Sequence, residues 1–302
     1  MFKVVLKAIW QATALFIRAV AIYTAFGLIA FGALIVGHIL IPILTALNPR
    51  RSIADNRRLI SSGARIYLNL LKSLGLLSIE CQGLTQSFKS RPLVFAANHP
   101  SLLDAVFFIS RFPECVVIIK SKLMKFSPYA RAARAAGYIV NTGSSEIIEP
   151  LCSELKAGNP VVIFPEGTRT SFPETKSPEE LQNWLGNMKF HRGAAAVSLR
   201  SSIPIVPVLI HYSPQVLGKG QKWYQIPTRL CRASIRFFEP VPSFSTSRNG
   251  ASSEESQDTP SSRRELTEKL EDFFKGHITS QNFSISEDKN FQPYEFHVSF
   301  RS

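Results

Sequence analysis

The stretch Val94-Phe-Ala-Ala-Asn-His-Pro-Ser-Leu-Leu-Asp104 passes from an apolar run directly into reactive side chains. The run Leu93–Ala97 predicts a short buried strand, and the residues from about Ser101 onward predict a helix. A strand ending here delivers His99 to the turn, and the first helical turn brings Asp104 back toward it. We therefore predict a hydrogen bond from one His99 ring nitrogen to the Asp104 carboxylate, which leaves the other nitrogen free as a base.

Similar apolar runs alternate with helical stretches along most of the chain. This alternation predicts an α/β fold, with a mixed, mostly parallel sheet flanked by helices and an N-terminal membrane-embedded helical segment. The predicted strands are Leu93–Ala97, Cys115–Ile119, Tyr138–Val140, Pro160–Phe164, Ile203–Ile210 and Ser234–Phe238, and the predicted helices among them are Leu103–Arg111, Lys122–Ala136, Glu146–Ala157 and Gly193–Arg200.

The N-terminal segment has the composition of a membrane helix. Ala19 to Leu47 are 29 consecutive residues without a charge, and roughly 20 apolar residues cross a bilayer. One span fits this length; a short helical hairpin bent at Gly37 or Pro42 is the alternative. The arginines that follow, from Arg50 to Arg58, favour a cytoplasmic position for the rest of the chain, at the inner or cytoplasmic membrane.

Six segments follow from these patterns. The helix Ile53–Leu76 carries arginines on its polar face, and it either lies on the membrane surface or packs on the domain. The predicted segments are a membrane-anchoring segment at 1–50, an amphipathic linking helix at 51–80, an α/β domain at 81–242, a flexible loop at 243–262, an amphipathic helix at 263–278 and an unassigned tail at 279–302.

The net charge indicates the class of partner, and the cysteine pattern indicates whether disulfides or a zinc site are expected. The net charge is +13, from 35 basic and 22 acidic side chains, which suits an anionic membrane, an acidic substrate or nucleic acid. The apolar N-terminus favours lipid, and no nucleic-acid motif accompanies the charge. The four cysteines are scattered without a C-x-x-C pair, which predicts neither a disulfide framework nor a zinc site.

A second segment, Val161-Val-Ile-Phe-Pro-Glu-Gly-Thr-Arg-Thr170, also leads from a strand into polar residues. Its glycine turn places backbone N–H groups and the Arg169 guanidinium where they can converge on one anion. Because ligands gather at the carboxyl ends of parallel strands, we expect Glu166 and Arg169 to lie near His99.

Together the two segments resemble the glycerolipid acyltransferase family, which includes the 1-acyl-sn-glycerol-3-phosphate acyltransferases. The resemblance runs from about Leu93 to Pro240 and includes the later Ile205-Val-Pro-Val208 stretch. It implies that His99 is the general base and Asp104 its orienting partner. It also implies acceptor binding or shaping by Asn98, Glu166, Gly167, Thr168, Arg169 and Pro207.

One block departs from the family pattern. Family members that act on glycerol phosphates carry an Arg after a glycine and a few apolar residues, whereas Gly137-Tyr-Ile-Val-Asn-Thr-Gly-Ser-Ser145 contains none. A guanidinium is a strong bidentate phosphate ligand, so its loss bears on the acceptor. Lys120, Lys122 or Lys189 can substitute as point charges; otherwise the acceptor is another hydroxylated lipid or a secondary-metabolite precursor.

The resemblance implies a membrane-associated O-acyltransferase that needs neither a metal nor a cofactor. The acyl donor is acyl-CoA or acyl carrier protein, and the default acceptor is the lysolipid 1-acyl-glycerol-3-phosphate. A non-catalytic lipid-binding protein is the alternative from another class, which the intact His99 and Asp104 disfavour.

Overall fold

A computed structural model gives the fold of residues 2–89, 91–125, 128–143, 145–170, 178–221, 229–242 and 258–279. Its helices are α1 Phe2–Ile35, α2 Ile41–Leu47, α3 Ile53–Ser73, α4 Leu103–Arg111, α5 Ala130–Ala135, α6 Ile148–Lys156, α7 Pro178–Asn187, α8 Gly193–Ser201 and α9 Pro260–Thr279.

Seven strands in the described ranges form one sheet in the order β1-β7-β6-β2-β5-β3-β4. All neighbouring pairs are parallel except β6 with β7, which confirms the predicted mixed, mostly parallel α/β sheet. The strands are β1 Leu77–Gln82, β2 Val94–Ala97, β3 Val116–Lys120, β4 Ile139–Asn141, β5 Val161–Ile163, β6 Ile205–Ser213 and β7 Cys231–Phe237.

The strand that precedes His99 occupies the middle of this sheet. All four residues of β2 are buried, and β2 pairs in parallel with both β5 and β6. Apolar side chains cover both faces of the strand, with Phe95 in the cluster on one face and Val94 in the cluster on the other. This burial on two faces explains why the strand is a continuous apolar run rather than an alternating one.

The helix α3 packs on the domain, which resolves the two alternatives left by its sequence. It begins with a capping box, in which Ser52 and Asp55 exchange side-chain-to-backbone hydrogen bonds. Arg57, expected on the polar face, is only 2% exposed. Its guanidinium donates to both carboxylate oxygens of Glu154, at 3.0 and 2.8 Å, and to the Ala136 carbonyl at 2.7 Å. Such a bidentate pair, with its remaining donor satisfied, tolerates burial.

Strand β1 is not among the predicted strands, and the predicted helix Ile53–Leu76 extends three residues too far. The helix ends at Ser73 because Gly75 adopts φ +64° and the Leu76 N–H bonds back to the Leu71 carbonyl, a common helix stop. Leu77 then begins the edge strand, whose pairing partner β7 lies about 150 residues away in the chain. The sheet thus starts inside the predicted linking segment 51–80.

The predicted helix Lys122–Ala136 is shorter than expected. A 3₁₀ turn covers Ser121–Met124 and α5 begins only at Ala130. Pro128 lies between them, and a proline disfavours the helical conformation in the residue before it. The predicted single helix is therefore wrong at its N-terminal half.

The N-terminal helices form one continuous run from Phe2 to Leu47, with a π turn at Val36–Leu40 between α1 and α2. Within it, Ala12–Leu47 is long and apolar enough to cross a membrane. The run does not reverse at Gly37 or Pro42, the two positions proposed for a hairpin. The π turn ends two residues before Pro42, whose ring opposes an ordinary α-helical turn before it.

One side of this run packs on the α/β domain. Ala25 is fully buried, and Ala21, Ile22 and Ile29 contact the same core cluster as β7. On other sides the helix leaves large apolar side chains exposed, among them Phe16, Phe31 and Ile43. The helix is therefore part of the folded domain as well as a candidate membrane segment.

The C-terminal helix α9 covers the other face of the sheet. Leu266, Leu270 and Phe274 are buried in the cluster that also holds α8. The helix starts at Pro260, so the last residues of the predicted loop 243–262 are helical. Residues 243–257 of that loop, and 280–302 of the predicted tail, lie outside the described residues.

We expect Gly37→Ala to lower the melting temperature of the full chain in detergent. A Cβ on Gly37 would lie 2.9 Å from the Ala132 backbone nitrogen, so the helical run and α5 must separate. Overpacking of this kind costs about 1–3 kcal/mol.

Gly32→Ala is the matched control, because a Cβ there meets no heavy atom within 4 Å. It replaces a helical glycine and should be neutral or stabilising by up to about 1 kcal/mol. Equal melting temperatures for the two variants in the same detergent would contradict the close packing at Gly37.

Candidate active site

The side chain of Asn98 locks the end of β2 to β6. Its amide oxygen accepts the Ile210 N–H at 2.6 Å, and its amide nitrogen donates to the Ile210 carbonyl at 2.8 Å. Asn98 is 2% exposed, so these bonds form in a setting where unpaired polar groups are costly. These contacts fix the strand end directly before His99, and the acceptor binding that the resemblance implies for Asn98 stays a prediction.

His99 and Asp104 lie in contact, as the strand–turn–helix pattern predicted. The His99 Nδ1 atom is 2.8 Å from Asp104 Oδ2, and the same oxygen accepts the Ser101 N–H at 2.8 Å. Asp104 is fully buried, whereas 16% of the His99 side chain is exposed. The ring thus presents its outer edge to solvent while the inner nitrogen is held by the carboxylate.

Two aromatic side chains complete the surroundings of this pair. The Phe164 ring stacks on the His99 ring, with centroids 4.1 Å apart and planes 18° from parallel. Tyr212, buried on β6, lies against Asp104, and burial together with that negative charge raises the pKa of Tyr212. Neither residue is among the site residues predicted from the sequence. Phe164 lies within the predicted strand before Glu166, but Tyr212 has no local signal because β6 lies over 100 residues from His99 in the chain.

Burial and hydrogen bonding act on Asp104 in opposite directions. Burial raises its pKa, and the hydrogen bonds from His99 and the Ser101 N–H oppose that rise. A charged Asp104 is therefore favoured most when His99 carries a proton, because the pair then has no net charge in a poorly solvated place.

Glu166 lies beside His99 because β5 is the neighbour of β2. Ala96 is paired with Ile163 in the register of β2 and β5. Three residues further along each segment are His99 and Glu166. The His99 carbonyl accepts the Thr170 N–H at 2.9 Å, which ties the two segments together. Glu166 is 9% exposed. Burial raises its pKa to about 7, with the Thr170 and His99 hydrogen bonds opposing that rise.

Gly167 turns the chain after Glu166 with φ +65°, a conformation that favours glycine. A Cβ there would also lie 2.8 Å from the His191 ring, so this ring stands directly over the turn. Lys189, His191 and Arg192 are exposed here, with buried Phe190 between the first two. The His191 N–H donates to the Pro165 carbonyl at 2.7 Å.

Arg169, for which anion binding stays a prediction, contacts the segment that follows β6. Its Nη1 atom donates to the carbonyls of Leu217 and Gly218, at 2.7 and 3.0 Å. The guanidinium therefore holds the segment after β6 against the motif. Thr168, half-buried, accepts a long hydrogen bond of 3.5 Å from the Thr170 hydroxyl through its carbonyl.

Pro207 lies within the sheet, away from these groups. It pairs with Ala96 in the register of β2 and β6, three residues before the level of His99. Three residues of strand correspond to about 10 Å. Its carbonyl accepts the Phe238 N–H. Pro207 is buried within the sheet, and the pocket-shaping role that the resemblance implies for it stays a prediction.

Residues 78–211 match the acyltransferase family model, a region that contains both the His99–Asp104 pair and the Glu166–Arg169 turn. The part of the chain that carries the resemblance found in the sequence thus matches an acyltransferase family model.

The names of curated relatives are more specific than the description of the family model. The 1-acyl-sn-glycerol-3-phosphate acyltransferase of Saccharomyces cerevisiae is 25% identical over 186 residues, covering 59% of this chain and 56% of the relative. The alpha form from Ovis aries is 28% identical over 189 residues, covering 59% of each protein. The matches thus span less than two thirds of these relatives' own length.

The fold also has a solved counterpart. The crystal structure of the 1-acyl-sn-glycerophosphate (LPA) acyltransferase PlsC from Thermotoga maritima aligns with a TM-score of 0.57 and 18% identity. The alignment covers 89% of this chain and 96% of that one. At this identity the likeness concerns the fold alone.

The raised pKa of Glu166 predicts a pH-dependent loss of stability. Folding moves that pKa from about 4.5 to about 7, so the folded protein keeps a proton that the unfolded chain releases in this window. The stability of the wild type should fall as pH rises from 4.5 to 7, relative to Glu166→Gln, by at most about 1.4 kcal/mol per pH unit.

Melting curves of both proteins in one detergent at pH 5, 6, 7 and 8 measure this difference. The exposed carboxylate Glu239 provides the control, and Glu239→Gln should follow the wild type across the series. A constant gap between wild type and Glu166→Gln would show that Glu166 does not titrate there.

Proposed function

We propose that this protein is a membrane-associated O-acyltransferase that moves a fatty acyl chain from an acyl thioester to a lipid hydroxyl. The single observation that carries the proposal is the 2.8 Å contact between His99 Nδ1 and buried Asp104 Oδ2, at the carboxyl end of a central strand. The family model that matches residues 78–211 and the relatives named above support the choice of acyl transfer.

In the proposed reaction His99 acts as the general base through Nε2. As the acceptor oxygen attacks the thioester carbonyl, its proton passes to Nε2 and a C–O bond forms. The resulting imidazolium stays paired with Asp104. When the C–S bond breaks, the thiolate takes the proton from Nε2, so that the products are an ester and a free thiol.

The local setting supports a base of this kind. Asp104 holds Nδ1, which directs the proton-accepting lone pair to Nε2 at the exposed edge of the ring. The stack on Phe164 and the bonds of Asn98 limit movement of the ring and of its strand. No covalent enzyme intermediate and no metal enter this scheme.

The acceptor we propose is 1-acyl-glycerol-3-phosphate, the substrate in the names of the curated relatives. The block Gly137–Ser145 lacks the expected Arg, so its phosphate must meet other groups. Lys120 and Lys122 are exposed at the end of β3, on the same edge of the sheet as His99. Acyl-CoA and acyl carrier protein both remain proposed donors, since each presents the same thioester and an acidic surface or phosphates to a basic protein.

We further propose that the helical run Phe2–Leu47 embeds in the inner or cytoplasmic membrane, with the α/β domain on the cytoplasmic face. Arg50, Arg51 and Arg58 follow the apolar run and remain at least partly accessible to solvent. Basic residues next to a membrane helix favour the cytoplasmic side.

His99→Ala should lower kcat by at least about 100-fold, because it removes the proton acceptor. Asp104→Asn should also lower kcat, since the amide cannot balance the charge of the imidazolium. Initial rates with a saturating acyl-CoA and lysophosphatidate measure both effects.

Melting temperature and flotation with liposomes are the controls, and both should match the wild type for His99→Ala. A fully active and folded His99→Ala protein would refute the assigned base. A folded wild type without acyl transfer to any acceptor would favour a lipid-binding role instead.

The choice of acceptor calls for a separate assay. Purified protein should acylate lysophosphatidate faster than monoacylglycerol or lysophosphatidylcholine, with each of the two donor types tested in turn. A preference for monoacylglycerol, which lacks phosphate, would show that the absent Arg in Gly137–Ser145 marks a different acceptor class.

A further inference from the structure

A groove of about 540 Å³ lies between the N-terminal helical run and α5. Its helix side is mostly apolar, and its domain side carries three basic side chains. The helix side includes Ala30, Leu34 and His38, and the basic side chains are Lys125, Arg131 and Arg134.

Within the described ranges, none of the three basic side chains Lys125, Arg131 and Arg134 forms an ion pair with a carboxylate. Arg134 is oriented by a bond from its Nη2 atom to the Met124 carbonyl at 3.0 Å. Like charges gathered along one wall repel each other, and an anion in the groove relieves that repulsion.

The width of the groove depends on the close approach at Gly37. The backbone of the π turn approaches Ala132 so closely that no Cβ fits between them. His38, the next residue, bonds through Nδ1 to the Leu34 carbonyl at 3.2 Å. The imidazole therefore lies along the helix and supplies the polar group of an otherwise apolar wall.

The apolar wall continues into the lipid-facing surface of the helix. Leu28, Phe31 and Leu34 are exposed along the same part of α1. If α1 lies in the bilayer, which is part of the proposed function, the groove opens where acyl chains meet charged headgroups. Guanidinium groups match phosphate oxygens in geometry, and an ammonium adds a point charge.

The groove is separate from the His99–Asp104 pair. Met124 and Lys125 follow β3, and β5 stands between β3 and β2 in the sheet. Two strand spacings amount to about 10 Å. A ligand in the groove thus differs from an acceptor positioned at His99.

We propose that this groove binds the phosphate of an anionic glycerophospholipid, with an acyl chain of that lipid against the apolar wall of α1. The site holds the domain at the membrane surface in one orientation. It acts beside the proposed catalytic pair and does not supply a reacting group.

The test uses the full chain in a neutral detergent and dioctanoyl phosphatidylglycerol, which is neither substrate nor product of the proposed reaction. Microscale thermophoresis should detect saturable binding. Dioctanoyl phosphatidylcholine, which has the same phosphate with a compensating cation, should bind at least tenfold more weakly. Glycerol phosphate, which has the phosphate but no acyl chains, should not bind in the same concentration range.

The double variant Lys125→Gln/Arg131→Gln should raise the dissociation constant for phosphatidylglycerol at least tenfold. Arg134 is left intact because it holds the Met124 carbonyl. Arg232→Gln is the matched control: Arg232 is exposed and alternates along β7 with Cys231 and Ala233, which face α1, so it points to the opposite side of the sheet. This control should bind as the wild type does.

Unchanged binding by the double variant would overturn the proposal, and so would equal binding of phosphatidylcholine. Equal binding of glycerol phosphate would assign the groove to a free anion rather than a lipid. Acyl transfer is measured separately on the same proteins. Failure of the wild type to transfer acyl groups refutes the proposed function, whereas loss of the lipid-binding difference refutes only the groove.

Discussion

The position of β2 between two parallel neighbours is the constraint on which the site depends. β5 on one side brings Glu166 level with His99, and β6 on the other side brings the Ile210 backbone within hydrogen-bonding distance of the Asn98 side chain. The two hydrogen bonds between Asn98 and the Ile210 backbone then hold the strand end in a buried setting. Because β2 is buried on both faces, a shift in its register would expose apolar side chains and separate these partners together.

Burial also sets the electrostatics at that edge. Asp104 and Glu166 are both buried, but different neighbouring groups act on their pKa values. Burial raises the pKa of Asp104, and the hydrogen bonds from His99 and the Ser101 N–H oppose that rise. Burial raises the pKa of Glu166 to about 7, and the hydrogen bonds of Thr170 and His99 oppose that rise. The same cause thus acts on both carboxyl groups of this strand edge, against different neighbours.

The N-terminal helical run packs on the same domain as this sheet edge. It contributes Ala25 to the same core cluster as Phe95 and Ile235, while large apolar side chains on its other sides remain exposed. Close approach at Gly37 brings it against α5. These contacts couple the orientation of the domain to that of the helix, so in the proposed membrane-bound state the helix would fix how the sheet edge faces the bilayer.

The sequence by itself determined the elements whose signals are local. The apolar run before His99, the His-x4-Asp spacing, the glycine turn after Glu166 and the long uncharged helix are all readable within a few residues, and the acyltransferase resemblance rests on them. Tertiary structure alone decided the rest. Edge strand β1, the burial of Arg57 against Glu154, the bonds of Arg169 to Leu217 and the place of Tyr212 beside Asp104 depend on segments about 50 to 150 residues apart. Such contacts follow from the order of strands in the sheet, which no local pattern of apolar and polar residues encodes.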